Sequence, residues 1–157
     1  MPNQNGSLYF QESEIIKKFE DDLIEIFSTD EAMELFGTSF EIRSEYDDIS
    51  NDLSFPCILI SFDDFGTAEP YSTSEQVQQF TSFVLLFEIY AKGINDKTPT
   101  ATIRLISEYL TRKFQEKYNL LIMSSNRPLP NIDDTIARRQ ITFTGTINNQ
   151  NHMIYSN

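Results

Sequence analysis

Tryptophan is missing from this 157-residue chain, cysteine and histidine occur once each, and glycine only five times. With Cys57 as the sole thiol there can be no internal disulfide. The one histidine, His152, stands among asparagines near the C-terminus, so a serine or cysteine nucleophile lacks its usual base and a His/Cys metal site lacks ligands. The adjacent pairs Asp47-Asp48, Asp63-Asp64 and Asp133-Asp134 lack the spaced acid ladder of a calcium loop, and there is no Walker loop or dinucleotide fingerprint. A sugar-cleaving carboxylate pair would lack the indole platform that often accompanies it. These absences predict a protein that is not an enzyme and carries no metal or cofactor. No apolar run reaches the roughly 18 residues of a membrane span, and the opening MPNQNGSLYFQESE has neither the positive start nor the apolar stretch of a signal peptide. The expectation is a soluble protein made in the cytosol, with no membrane partner.

Positive charge is scarce: 12 Lys and Arg stand against 24 Asp and Glu, a net charge of −12. That balance argues against tight gripping of DNA phosphates, which needs basic clusters to displace counterions. The shortage is also uneven. Residues 1–75 hold 18 of the acids and only Lys17, Lys18 and Arg43, a net of −15, whereas residues 76–157 stand at +3. The halves can attract each other within one molecule or head to tail between copies.

What the chain has in quantity is large apolar rings, 13 Phe and 7 Tyr, enough for the packed interior of one domain of this length. The segment QFTSFVLLFEIYA, residues 79–91, is the most informative. Read as a strand, it places Phe83, Leu85, Phe87, Ile89 and Ala91 on one face. The other face holds Phe80, Ser82, Val84, Leu86, Glu88 and Tyr90, more apolar than water-facing positions need. Both sides therefore call for cover, by helices and a loop of the same chain or by another subunit. Val84, Leu86 and Tyr90 are candidate interface residues on that account.

Around this strand the pattern predicts an N-terminus of about a dozen polar residues and an amphipathic helix capped by Ser13, with Ile15, Ile16, Phe19, Leu23, Ile26 and Phe27 as its apolar stripe. A short helix opens at Thr29 and stops at Gly37. Residues 40–46 alternate as a half-exposed strand, and FPCILISF forms a second one with Pro56 near its start and Cys57 as a small buried hydrophobe. Residues 63–78, carrying Asp63, Asp64, Glu69 and Glu75 among small polar residues, read as a long loop and a candidate working surface. A core helix runs from Thr98 to Tyr118, with Ile103, Ile106, Leu110 and Phe114 in its stripe and Leu105 and Tyr109 at the edge. Residues 120–123 make a short strand and 124–134, with Pro128 and Pro130, a loop. The last long strand begins near Ala137, and residues 152–155 form a short return after a turn. Alternation sets Arg139 beside Ile141 and Phe143, and Arg138 on the threonine side. Arg139 is expected to anchor the fold with an acid partner, and Arg138 to face a partner molecule. The fold class predicted is α+β, a single domain over residues 1–157 with a C-terminal tail at 148–157. Its antiparallel or mixed sheet of about five strands packs with an N-terminal helix and one long core helix.

The runs PCILISFDDF, FVLLFEIYAKG and PNIDDTIARRQITFTG, with the 98–118 helix between the last two, resemble the tail terminator and tail-completion proteins of tailed bacteriophages over roughly residues 13–147. The resemblance implies a homohexameric ring at the head-proximal end of the tail tube. Such a ring stops tube growth and joins the tube protein to the head connector or stopper in the virion neck, and DNA passes through without being held tightly. The extended N-terminus and the strongly acidic first half depart from that pattern. A monomeric or dimeric ligand-binding or adaptor domain is the alternative from another class, and oligomer size separates the two.

Overall fold

The computed structural model describes residues 4–44, 54–68, 80–148 and 154–155. Helix α1 is Gln4–Phe27, α2 is Asp30–Phe36 and α3 is Pro99–Lys117. The strands are β1 Glu41–Arg43, β2 Cys57–Ala68, β3 Phe80–Ala91, β4 Ile122–Asp133, β5 Ile136–Asn148 and β6 Ile154–Tyr155. Five strands lie in the order β1-β2-β3-β5-β4, and β6 pairs with the end of β5. Only the β1–β2 pair is parallel among these, so the sheet is mixed and the fold is α+β.

Local chemistry explains the helix limits. Thr29 Oγ1 accepts from Ala32 N at 3.2 Å to start α2, and Gly37, at φ +65°, ends it by donating its N–H to Met33 O at 2.7 Å. Thr98 does the same for α3, accepting from Ala101 N at 3.1 Å, with Pro99 in the first turn where its missing N–H is harmless. The connection from β3 to α3 turns so tightly at Gly93 that a Cβ there would stand 2.3 Å from the Lys97 carbonyl oxygen.

Three expectations need correction. Helix α1 starts at Gln4, so Ser13 lies within it and does not cap it. Ile15 is the first buried side chain among those described, where the apolar signal begins, but backbone bonding continues upstream because no proline interrupts it. Strand β2 continues through Asp63 and Asp64 to Ala68, where a loop was expected. Register shifts at Phe62/Asp64 and at Phe65/Thr67 let it do so, the second at Gly66 with φ +94°, the backbone state that glycine supplies to a bulge. Residues 124–133 are strand rather than loop despite Pro128 and Pro130. As the outer strand beside β5, β4 tolerates residues without an N–H, which is where sheets accept proline.

The core lies between the helices and one sheet face. Ile58 and Ile60 of β2, Phe83, Leu85, Phe87 and Ile89 of β3, and Ile141 and Phe143 of β5 are all buried on that face, as the odd-position reading of β3 requires. Phe114 of α3 packs on Phe19, Phe87 and Phe143 with ring centres 5.0–5.7 Å apart. Phe19 of α1 also meets Phe62 and Phe83. Tyr118 donates to the buried Asp22 carboxylate, which Lys117 Nζ also approaches at 3.1 Å, tying the end of α3 to the C-terminal part of α1.

Candidate interaction surface

The second sheet face follows from the same register. Val84, Leu86, Glu88 and Tyr90 stand between Asp64, Ser61, Leu59 and Cys57 on one side and Thr144, Thr142, Gln140 and Arg138 on the other. Cys57, Leu59 and Leu86 are buried, but none belongs to the core cluster under the helices, and Val84, Glu88 and Tyr90 are half-buried. Among the described residues, the helix side chains of the core cluster all lie on the opposite face.

At the β4–β5 end this face is polar and internally matched. The Tyr90 hydroxyl donates to Glu88 Oε2 at 2.8 Å, and the Arg138 guanidinium sits 5.6 Å from the centre of the Tyr90 ring. Arg127 of β4 donates through Nε and Nη2 to Gln140 Oε1 at 3.0 and 2.8 Å. Thr142 Oγ1 lies 2.6 Å from Ser124 Oγ and 2.8 Å from Ser125 Oγ. Deeper in the face, burial pushes the Cys57 thiol up to about 12, so the sulfur stays protonated and packs as a small apolar group.

The sequence-derived candidates fall into three sets. Asp64, Val84, Leu86, Tyr90 and Arg138 share this face, and Asp63 is the exposed extra residue of the β2 bulge. Arg139 points to the helix side, where its Nε donates to Asn126 Oδ1 at 2.7 Å. Asn126 Nδ2 in turn donates to Ser107 Oγ of α3 at 3.2 Å. The anchoring role thus runs through an amide and a hydroxyl, and the expected acid partner is replaced by Asn126. Glu69 and Glu75 lie outside the described residues, as does His152.

A second feature is a cleft of about 440 Å³ between α2 and α3, lined by Glu31, Glu34, Leu35, Leu105, Glu108, Tyr109 and Arg112. None of these was singled out as a site residue from the sequence. The available signal was the placement of Leu105 and Tyr109 at the edge of the α3 stripe, although Tyr109 is itself buried in the core cluster and only part of its side chain lines the groove. The Tyr109 hydroxyl donates to Ile26 O at 3.1 Å and fixes the cleft wall. Glu31 bridges Arg112 at 3.1 Å and Lys113 at 2.9 Å, and the Lys113 hydrogen bond holds its carboxyl below the usual range. Much of the charge split is therefore used within the molecule. Arg112, Lys113 and Lys117 of α3 meet Glu31, Asp22 and Glu25 of the acidic half, whereas Arg127, Arg138 and Arg139 make no ion pair among the described residues.

Among the described residues there is no group of three or more His, Cys, Asp or Glu arranged to hold a metal, and no helix long and apolar enough to cross a membrane. No family model matches the chain, and no curated protein matches it.

Proposed function

We propose that the chain is a structural subunit of a ring at the head-proximal end of a phage tail, where it terminates the tail tube and joins it to the head connector. The observation that carries this reading is the one-sided helical cover of the sheet among the described residues, which leaves Val84, Glu88 and Tyr90 half-buried on the face opposite a helical layer with its own cleft. A closed ring needs two different complementary surfaces on each subunit, and these two lie on different sides of the same sheet. The resemblance of residues 13–147 to tail terminators supplies the particular role, with a homohexamer as the implied size. Placement in the virion neck after synthesis in the host cytoplasm belongs to the same proposal. So does a non-enzymatic role without a cofactor.

The test uses purified tail tubes and connector rings with the protein at several concentrations and salt levels. Electron microscopy and native mass spectrometry should find rings capping the tubes. A species that ignores both partners and stays monomeric throughout removes the reading. Duplex DNA should be bound weakly or not at all at physiological salt, because a net charge of −12 offers few phosphates a matching cation. Tight binding that falls steeply with salt would contradict passage through the channel without capture. A small ligand held in the cleft between α2 and α3 by an isolated subunit would favour the alternative, a monomeric or dimeric ligand-binding domain.

A further inference from the structure

We infer that the cleft between α2 and α3 receives the β4–β5 hairpin of a second copy of this chain, and this rests on the ring reading above. The hairpin tip runs a short way past β3. Strand β3 pairs with β5 only as far as Ala91 opposite Ala137, and β4 continues past that point to its turn with β5. On the helix-free face, β4 carries Leu129 opposite Arg138, with Arg127 two residues earlier on the same strand. Ile132, near the tip, is 56% exposed, the highest exposure of any large apolar side chain among the described residues.

The cleft is the chemical counterpart of that surface. Its apolar walls are Leu35, Leu105 and Tyr109, matching Leu129 and Ile132. Its carboxylates Glu34 and Glu108 make no ion pair among the described residues, and neither do Arg127 and Arg138. An apolar insert flanked by two unneutralised guanidiniums thus meets an apolar groove flanked by two unneutralised carboxylates. Asp133 keeps its charge, because the Thr135 hydroxyl at 2.6 Å and N–H at 2.7 Å hold its carboxyl below the usual range, so Asp133 and Asp134 form an acidic turn beyond the stretch where Arg127 and Arg138 flank Leu129. The insert and the groove are different surfaces, so the contact is heterologous and propagates head to tail until it closes.

The experiment places a cysteine on each side, Leu35→Cys with Ile132→Cys, and oxidises the full chain. Cys57 does not interfere, being buried. A ladder of covalent multimers is expected from the double variant. No ladder, or the same ladder from either single variant, overturns the inference. Glu34→Arg with Glu108→Arg, and separately Arg127→Glu with Arg138→Glu, are then added to the double-cysteine chain. Each alone should lower ladder yield at least about tenfold, since like charges then face each other. A one-to-one mixture should restore it, because every contact in an alternating ring is again between opposite charges. Unchanged yield in the separate variants, or no recovery on mixing, overturns the pairing. A ladder from a protein that leaves tail tubes uncapped would keep this contact and remove the tail-terminating role. Capped tubes without a ladder would do the reverse.

Discussion

The two faces of β3 use the same residue types for different ends. On one face Phe83, Leu85, Phe87 and Ile89 vanish under α1 and α3, and aromatic rings from four elements meet around Phe114. On the other, Val84, Leu86, Glu88 and Tyr90 lie between a threonine row and a partly apolar β2, with hydrogen bonds running along the surface. An apolar side chain stabilises the fold by the area it removes from water and the atoms it touches, so equal hydrophobicity does not mean equal contribution. The covered face holds the domain together through the helices, whereas on the other Val84, Glu88 and Tyr90 are only half-buried.

Truncations on the two faces break this comparison most severely if it is wrong. Phe114→Ala should cost about 3–5 kcal/mol in denaturant unfolding, as expected for a large ring removed from a closed core. Leu86→Ala should cost roughly half as much, about 1.5–2 kcal/mol, because no helix is held by it and its surroundings can collapse. Equal losses would erase the distinction between faces.

The adjacent arginines of β5 sharpen it on a smaller scale. Arg139→Ala strips the bond to Asn126 and loosens its tie to Ser107, and should lower stability by about 1–3 kcal/mol in thermal melts. Arg138→Glu should leave the melting temperature nearly unchanged and instead weaken association, since it gives up a contact with Tyr90 and removes a buried Nε that has no hydrogen-bond partner. Matching effects on both readouts would mean that neighbouring residues on opposite faces play one role.

Much of this division was legible in the sequence. Period-two alternation fixed which side of β3 and β5 each residue takes, including the split between Arg138 and Arg139, because a strand leaves no other choice once it pairs. Capping chemistry at Thr29, Gly37 and Thr98 marked helix limits for the same local reason. The extent of β2 and β4 was not legible. Asp63, Gly66, Pro128 and Pro130 are loop formers by propensity, and only pairing with β3 and β5 holds them in strands. The cleft was hidden for a related reason, since Glu34 and Glu108 come from separate helices and meet only after packing.

Smaller effects should appear in chemistry at single groups. The Cys57 thiol, held protonated by burial on the helix-free face, should resist alkylation at pH 8 in the folded protein and react fully on unfolding. Rapid labelling of the native chain would mean that this face opens. Glu31, whose carboxyl is lowered chiefly by the Lys113 hydrogen bond, adds stability that is present above the ordinary carboxylate range and lost as pH falls through its lowered folded value. The effect is small because the pair is exposed. Glu31→Gln should therefore remove a slight part of the acid sensitivity in thermal melts and change little below that range, whereas an unaltered acid profile would show that the bridge contributes nothing.

Hydroxyl-radical footprinting of the free protein and of the protein assembled on tail tubes tests most directly whether one face serves the fold and the other a partner. The account predicts that labelling of Tyr90, Leu129 and Ile132 falls on assembly, together with Leu35 and Leu105 in the cleft, while Phe19 and Phe114 stay protected in both states. Unchanged labelling of the hairpin and the cleft in capped tubes would contradict it.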